Sequence, residues 1–230
     1  MSLVIGHRGN PALFPDNTLA GFMSAIEVAD MAELDVRHTA DGIAVLSHDP
    51  MIADRTVVET SFDELSLLDI GGGHQVVRFD DLLDAVGNFP INIEIKNHPS
   101  DPDYDSSHRF AVQAAGLARA NDMVTSFDWP TMQAIRSAHP SIRTGLLVAP
   151  DQPFSTAAEA ARAGGHQAIS LHWTTLADQP STLVESATDL EIYVWTVNDP
   201  DVARALATSG VTGIISDDPA AIRDAIEGIP

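Results

Sequence analysis

Eight times along the chain, a short run of apolar, strand-forming residues gives way to a segment of helical periodicity. The runs fall at Leu3–Gly6, Ala32–Val36, Ile91–Ile95, Met123–Phe127, Arg143–Val148, Ala168–Leu171, Ile192–Val197 and Gly213–Ser216. None alternates apolar with polar residues as a half-wet strand does, so each is predicted to be covered on both faces, as in a parallel sheet. Helical spacing occupies Thr18–Asp30, Phe79–Gly87, Ser106–Ala120, Trp129–Ala138, Thr156–Ala163, Pro180–Thr188, Asp199–Thr208 and Pro219–Ile226. In the first of these, Leu19, Phe22, Met23 and Ile26 are predicted to share the core face, with Asp16-Asn17 supplying the cap. Ser126-Phe127-Asp128-Trp129-Pro130 and Asn198-Asp199-Pro200 have the cap-then-proline pattern of a strand handing over to a helix. The alternation predicts an α/β fold, a TIM (β/α)8 barrel, with a doubly wound open sheet as the alternative. A single barrel accounts for residues 1–230 without a second domain or an internal repeat.

One interruption breaks the rhythm. After the second strand, Asp41-Gly42 is a hairpin signal, followed by Ile43–Leu46 and Ser47-His48-Asp49. An antiparallel strand is predicted there. The stretch of about 50–78, with Gly71-Gly72-Gly73, has weak periodicity and reads as a small loop-rich insertion over the barrel mouth.

Charge narrows the partners. Twelve basic residues against 33 acidic give a net charge of −21, which repels nucleic acid and anionic membrane surfaces and argues against stable membrane association. The chain has no cysteine, so disulfides, thiolate zinc sites and a cysteine nucleophile are excluded. Met1-Ser2-Leu3-Val4 shows neither a basic region nor a long apolar run, and no window reaches the roughly 18 apolar residues of a spanning helix. A cytoplasmic location is the expectation; a homodimer is left open.

In a barrel of this kind the chemistry gathers at the carboxyl ends of the strands. Those ends carry His7 and Arg8, then Glu33 and Asp35, then His48 and Asp49 after the hairpin, Glu94 and Lys96, Trp195 to Asn198, and Ser216-Asp217. Glu33 and Asp35 are two apart and face the same way, as do Glu94 and Lys96. Three carboxylates inside a barrel are costly unless paired or bound to a cation. With no cysteine or histidine in those pairs, they point to a hard divalent ion, Mg²⁺ or Ca²⁺. The competing reading is a buried salt-bridge cluster with Lys96 and Arg8. An imidazole moves protons near neutral pH, and a guanidinium fork matches phosphate oxygens, which gives His7 and Arg8 their interest.

These residues carry a resemblance. HRG followed by PDNT, then ELD, HD, EIK, SF, GLL, WTVN and ISDDP, spread from residue 5 to residue 219, resemble the glycerophosphodiester phosphodiesterase family. The family usually has PENT where this chain has Asp16, and the insertion after His48 is short, which leaves leaving-group preference open. The resemblance implies metal-assisted hydrolysis of a glycerophosphodiester to sn-glycerol 3-phosphate and an alcohol. Glu33, Asp35 and Glu94 would then be metal ligands, His7 and His48 the acid–base pair, and Arg8 and Lys96 the phosphate clamp. Asn17 either orients His7 or Arg8 or caps a helix; Trp195 either flanks the glycerol or packs. Phe127 and Leu146 are expected to form an apolar wall, Asp49 to brace the His48 loop, and His172 is the one remaining histidine placed to reach the site. The alternatives are a related two-histidine phospholipase of the sphingomyelinase D or phosphoinositide type, which the acidic surface disfavours, or a non-catalytic metal- and phosphate-binding homologue. The latter sits poorly with a chain that keeps both histidines and all three carboxylates.

Overall fold

The structure, a computed structural model, describes residues 1–176 and 178–229. In chain order its elements are β1 (Leu3–Gly6), α1 (Leu19–Val28), β2 (Met31–His38), β3 (Ala44–Leu46), β4 (Met51–Ile52), β5 (Arg55–Thr56), α2 (Phe62–Leu65) and α3 (Phe79–Val86). Then come β6 (Ile91–Ile95), α4 (Arg109–Ala115), β7 (Met123–Ser126), α5 (Trp129–Ala138), β8 (Arg143–Val148) and α6 (Phe154–Gly164). The last are β9 (Ala168–His172), α7 (Pro180–Glu185), β10 (Glu191–Trp195), α8 (Pro200–Thr208), β11 (Gly213–Ser216) and α9 (Pro219–Ile226). Eight strands pair in parallel in the order β1-β11-β10-β9-β8-β7-β6-β2, and β1 also pairs with β2. That last pairing, Ile5 beside Met31 and Gly6 beside Ala32, closes the barrel and removes the open-sheet alternative.

Two apolar layers hold it. Outward residues of the strands, among them Leu34, Ile93, Val124, Ile169 and Ile214, pack against helix residues such as Phe22, Leu82, Ile135 and Ala157 in one continuous core. Burying each large aliphatic side chain contributes about 1.5–3 kcal/mol. Inside the barrel a second cluster, Ile5, Met31, Met123, Ala168, Tyr193 and Ile215, fills the end where the strands begin. The other end is left to polar side chains.

Two expectations need correcting. Helix α1 buries Gly21, Phe22 and Ala25, while Leu19 and Met23 are 43 % and 46 % exposed. The inward stripe must be small because the chain passes close: a Cβ on Gly9 would lie 2.8 Å from the Gly21 carbonyl carbon. The cap is Thr18, whose hydroxyl accepts from the Gly21 N–H, rather than Asp16-Asn17. Helices α4 and α7 are also shorter than their patterns.

The excursion after β2 begins as expected, with β3 antiparallel to β2 and Val36 opposite Leu46. Beyond it the segment is more than loop. β4 pairs with β5, α2 starts with a Ser61–Glu64 capping box, and Val45, Val57, Leu65 and Val76 close into a satellite core. Among the described residues, no helix is long and apolar enough to cross a membrane.

Candidate active site

The site starts where β1 stops. At Gly6 a Cβ would meet the Gly9 carbonyl oxygen at 2.1 Å, so only glycine permits the chain to fold back there. Arg8 takes φ 51 and Gly9 φ 98. A non-glycine residue in the left-handed region carries strain of about 1–3 kcal/mol, and such strain clusters at functional sites. Here it turns the Arg8 N–H onto Glu33 Oε2 at 2.9 Å.

Glu33 and Asp35 point into the barrel from β2, and Glu94 lies beside Asp35 on β6. All three are buried, and each offers an oxygen within 4.8 Å of the others'. Cations surround them. Lys96 Nζ is 2.6 Å from Glu94 Oε1 and 3.1 Å from Asp35 Oδ1, and Arg8 Nε is 3.2 Å from Asp35 Oδ2. Arg8 also donates through Nη1 to Asp16 at 2.8 Å. Asn17, with φ 58, sends its amide to Asp35 Oδ2 at 2.9 Å. It orients Asp35 rather than His7, Arg8 or a helix end, which corrects the expectation for it.

Electrostatics separate the two carboxylates of β2. Burial, with the Asp35 charge added, pushes Glu33 up to about 8. Burial would raise Asp35 too, but Lys96 and Arg8 overcome it and hold that carboxyl at about 2. Lys96 is desolvated, yet Glu94 and Asp35 raise it above its ordinary value. The donor set fits a hard divalent cation: all oxygen, convergent, and with Asp35 Oδ1 buried and lacking a well-aligned hydrogen bond despite the Lys96 ammonium nearby. The ion pairs and a cation site coexist in one cluster.

Both histidines are held through Nδ1. His7 Nδ1 is 2.6 Å from Asp217 Oδ1, and Asn198 donates to Asp217 Oδ2 at 2.6 Å. His48 Nδ1 is 2.8 Å from Asp49 Oδ1. His7 Nε2 faces the carboxylates, 3.9 Å from Glu33 Oε2. Burial alone would lower the His7 pKa, but the Asp217 hydrogen bond and the Glu33 charge reverse this and raise it. His7, Arg8, Glu33, His48, Glu94 and Lys96 line one cavity of about 180 Å³.

Its apolar wall is Phe127, Leu147, Trp195 and Ile215. Leu146 lies behind, in the core under the helices, because β8 runs one residue out of the expected phase. Trp195 lines the cavity and meets Phe127 edge to face at 5.7 Å. His172 stands behind Trp195, 5.2 Å between centroids, and does not line the cavity. The partners Asp217 and Asn198 sit at strand ends in the sequence, yet nothing local marks them as bracing His7.

A TIM barrel with acidic, basic and imidazole groups converging at the carboxyl ends of its strands is an enzyme architecture. The chain belongs to the glycerophosphoryl diester phosphodiesterase family, whose profile matches residues 7–221. It is 29% identical to a glycerophosphodiester phosphodiesterase of Caldanaerobacter subterraneus subsp. tengcongensis, over 95% of each chain. Among solved structures, a glycerophosphodiester phosphodiesterase of Agrobacterium tumefaciens superposes with TM-score 0.80 at 25% identity, covering 97% of this chain and 100% of that one. An Oleispira antarctica phosphodiesterase in complex with the product sn-glycerol-3-phosphate shares the fold, with TM-score 0.83 at 21% identity and 97% and 96% coverage. The chain is therefore a glycerophosphodiester phosphodiesterase.

Proposed function

We propose that the cavity hydrolyses a glycerophosphodiester to sn-glycerol 3-phosphate and an alcohol, with one divalent cation, Mg²⁺ or Ca²⁺, held by Glu33, Asp35 and Glu94. The observation that carries this reading is the convergence of three carboxylates, two carboxylate-braced imidazoles and two cationic side chains on one cavity. When bound, the cation supplies charge neutralisation on the phosphodiester and on the oxygens that gain charge at the transition state. Arg8 and Lys96 hold non-bridging oxygens, the guanidinium as a fork and the ammonium as a point charge. His48 takes the proton of the attacking hydroxyl through Nε2, while Asp49 keeps its Nδ1 occupied. His7, kept protonated by Asp217 and Glu33, gives its proton to the departing alkoxide. Trp195 and Phe127 flank the glycerol and exclude water from that side.

The test is release of glycerol 3-phosphate from glycerophosphocholine, with and without EDTA. Release that stops on chelation and returns with Mg²⁺ or Ca²⁺ is expected. Undiminished release after complete chelation defeats the cation assignment, and no release under any metal defeats the substrate class.

A further inference from the structure

Two positions beyond Asp35 on the same strand, Arg37 is only 3 % exposed. Strand periodicity puts it on the face of Glu33 and Asp35, one step nearer the mouth. Its donors are spent on two groups far apart in sequence. Nε and Nη2 both donate to the backbone carbonyl of His48, at 3.0 and 2.8 Å. Nη1 donates to the two carboxylate oxygens of Asp103 at 2.7 Å each, and Nη2 also reaches Asp101 at 2.9 Å. Asp103 is itself buried.

A buried ion pair adds little net stability over apolar residues of similar size, so its geometry is the informative property. A guanidinium fork fixes both the direction and the plane of what it holds. Here it holds the peptide unit that carries a proton-transferring imidazole. The two neighbouring peptides are also tied, since Ser47 N–H donates to the Asp35 carbonyl at 3.0 Å and Ser47 Oγ to the Asp49 carbonyl at 2.7 Å. His48 therefore has its peptide fixed by Arg37 and its ring nitrogen by Asp49. Through Asp101 and Asp103 the same guanidinium fastens this turn to the segment that follows Lys96.

We propose that Arg37 is a positioning residue for the hydrolysis: clamped by Asp101 and Asp103, it locks the His48 peptide so that the imidazole faces the phosphate. The inference rests on the reading of His48 as a proton-transfer group. A shift of about 1 Å in such a group lowers the rate about a hundredfold without touching the ground-state contacts.

The experiment compares Arg37→Lys, Asp103→Asn, His48→Ala and the doubles with His48→Ala. It measures kcat, KM, Mg²⁺ affinity, melting temperature and the His48 Cε1–H resonance of the metal-free protein. Arg37→Lys should lower kcat about a hundredfold, with KM and Mg²⁺ affinity unchanged and the His48 resonance moved. Asp103→Asn should do the same in milder form. In the His48→Ala background, Arg37→Lys should cost nothing more, because both changes remove one function. An equal loss in that background, or an unmoved His48 resonance in a folded Arg37→Lys variant, overturns the proposal. Failure of both Arg37→Lys and Asp103→Asn to fold overturns it as well, in favour of a purely structural pin. Full activity of His48→Ala would instead defeat the reading of His48, and the resonance alone would then decide whether Arg37 fixes that residue.

Discussion

His7 and His48 make the same bond in different surroundings. Each rests its Nδ1 on a carboxylate, but Asp217 is half-buried and braced by Asn198, whereas the Asp49 side chain is 75% exposed. Glu33 adds a second negative group near His7. That asymmetry makes His7 the proton donor and leaves His48 as the acceptor. His7→Ala and His48→Ala should each slow hydrolysis of a natural diester by at least about a hundredfold. A nitrophenyl phosphodiester, whose leaving group departs without a proton, should restore His7→Ala and not His48→Ala. Rescue of both, or of neither, contradicts the division of labour. At this scale the sequence was readable wherever a residue type and a strand end coincide, as for His7, Arg8, Glu33, Asp35, Glu94 and Lys96. It was unreadable where the partner is remote or the backbone unusual. No local signal couples Asp217 to His7, and Asn17 looks like a cap until its left-handed backbone turns it toward Asp35.

Elements divide along the same line. Barrel strands announce themselves as unbroken apolar runs because both faces are covered, and four of the eight predicted ranges coincide with those observed. Helix α1 was misphased because its inward stripe is set by closeness to the β1–α1 turn, which favours Gly21 and Ala25 over larger neighbours. The satellite core of the insertion joins Val45 to Val76 across several short pieces, none long enough to show a period. The turn itself is testable. Gly9 has φ 98 and no room for a Cβ, while Gly42 has φ 76 and nothing within 4 Å of one. Gly42→Ala should cost about 1 kcal/mol from backbone strain alone. Gly9→Ala adds a clash with backbone and should lower the melting temperature further, by several degrees at about 2–4 °C per kcal/mol. Equal shifts for the two variants would show that the close approach at Gly9 carries no weight.

For the molecule as a whole, the buried carboxylates tie stability to pH and to metal. Glu33 titrates at about 8 in the folded chain, against its ordinary 4.5. Between those values the unfolded chain has released the proton and the folded chain retains it. Stability therefore falls as pH rises through this window, by up to about 1.4 kcal/mol per pH unit. Asp35, held at about 2, contributes stability that is constant above the ordinary aspartate value and is lost only in strong acid. A cation shared by the cluster needs Glu33 ionised, so binding expels that proton below pH 8 and tightens as pH rises. The EDTA-treated protein should melt at steadily lower temperature from pH 5 to pH 8, and saturating Mg²⁺ should flatten the decline. Parallel curves with and without Mg²⁺ would place the cation elsewhere.

The barrel closes between its first and last strands, and the His7–Asp217 contact spans that seam, 210 residues apart in the chain. Synthesis proceeds from one end, so the imidazole emerges from the ribosome at the start and its carboxylate almost last. Such a long-range contact forms late, after the loop-closure entropy of nearly the whole chain has been overcome. A nascent or truncated chain lacking β11 keeps every carboxylate of the cluster and still has no braced donor. Competence for turnover thus reports completion of the fold, and a half-made barrel has no means of acting on the phosphodiesters around it.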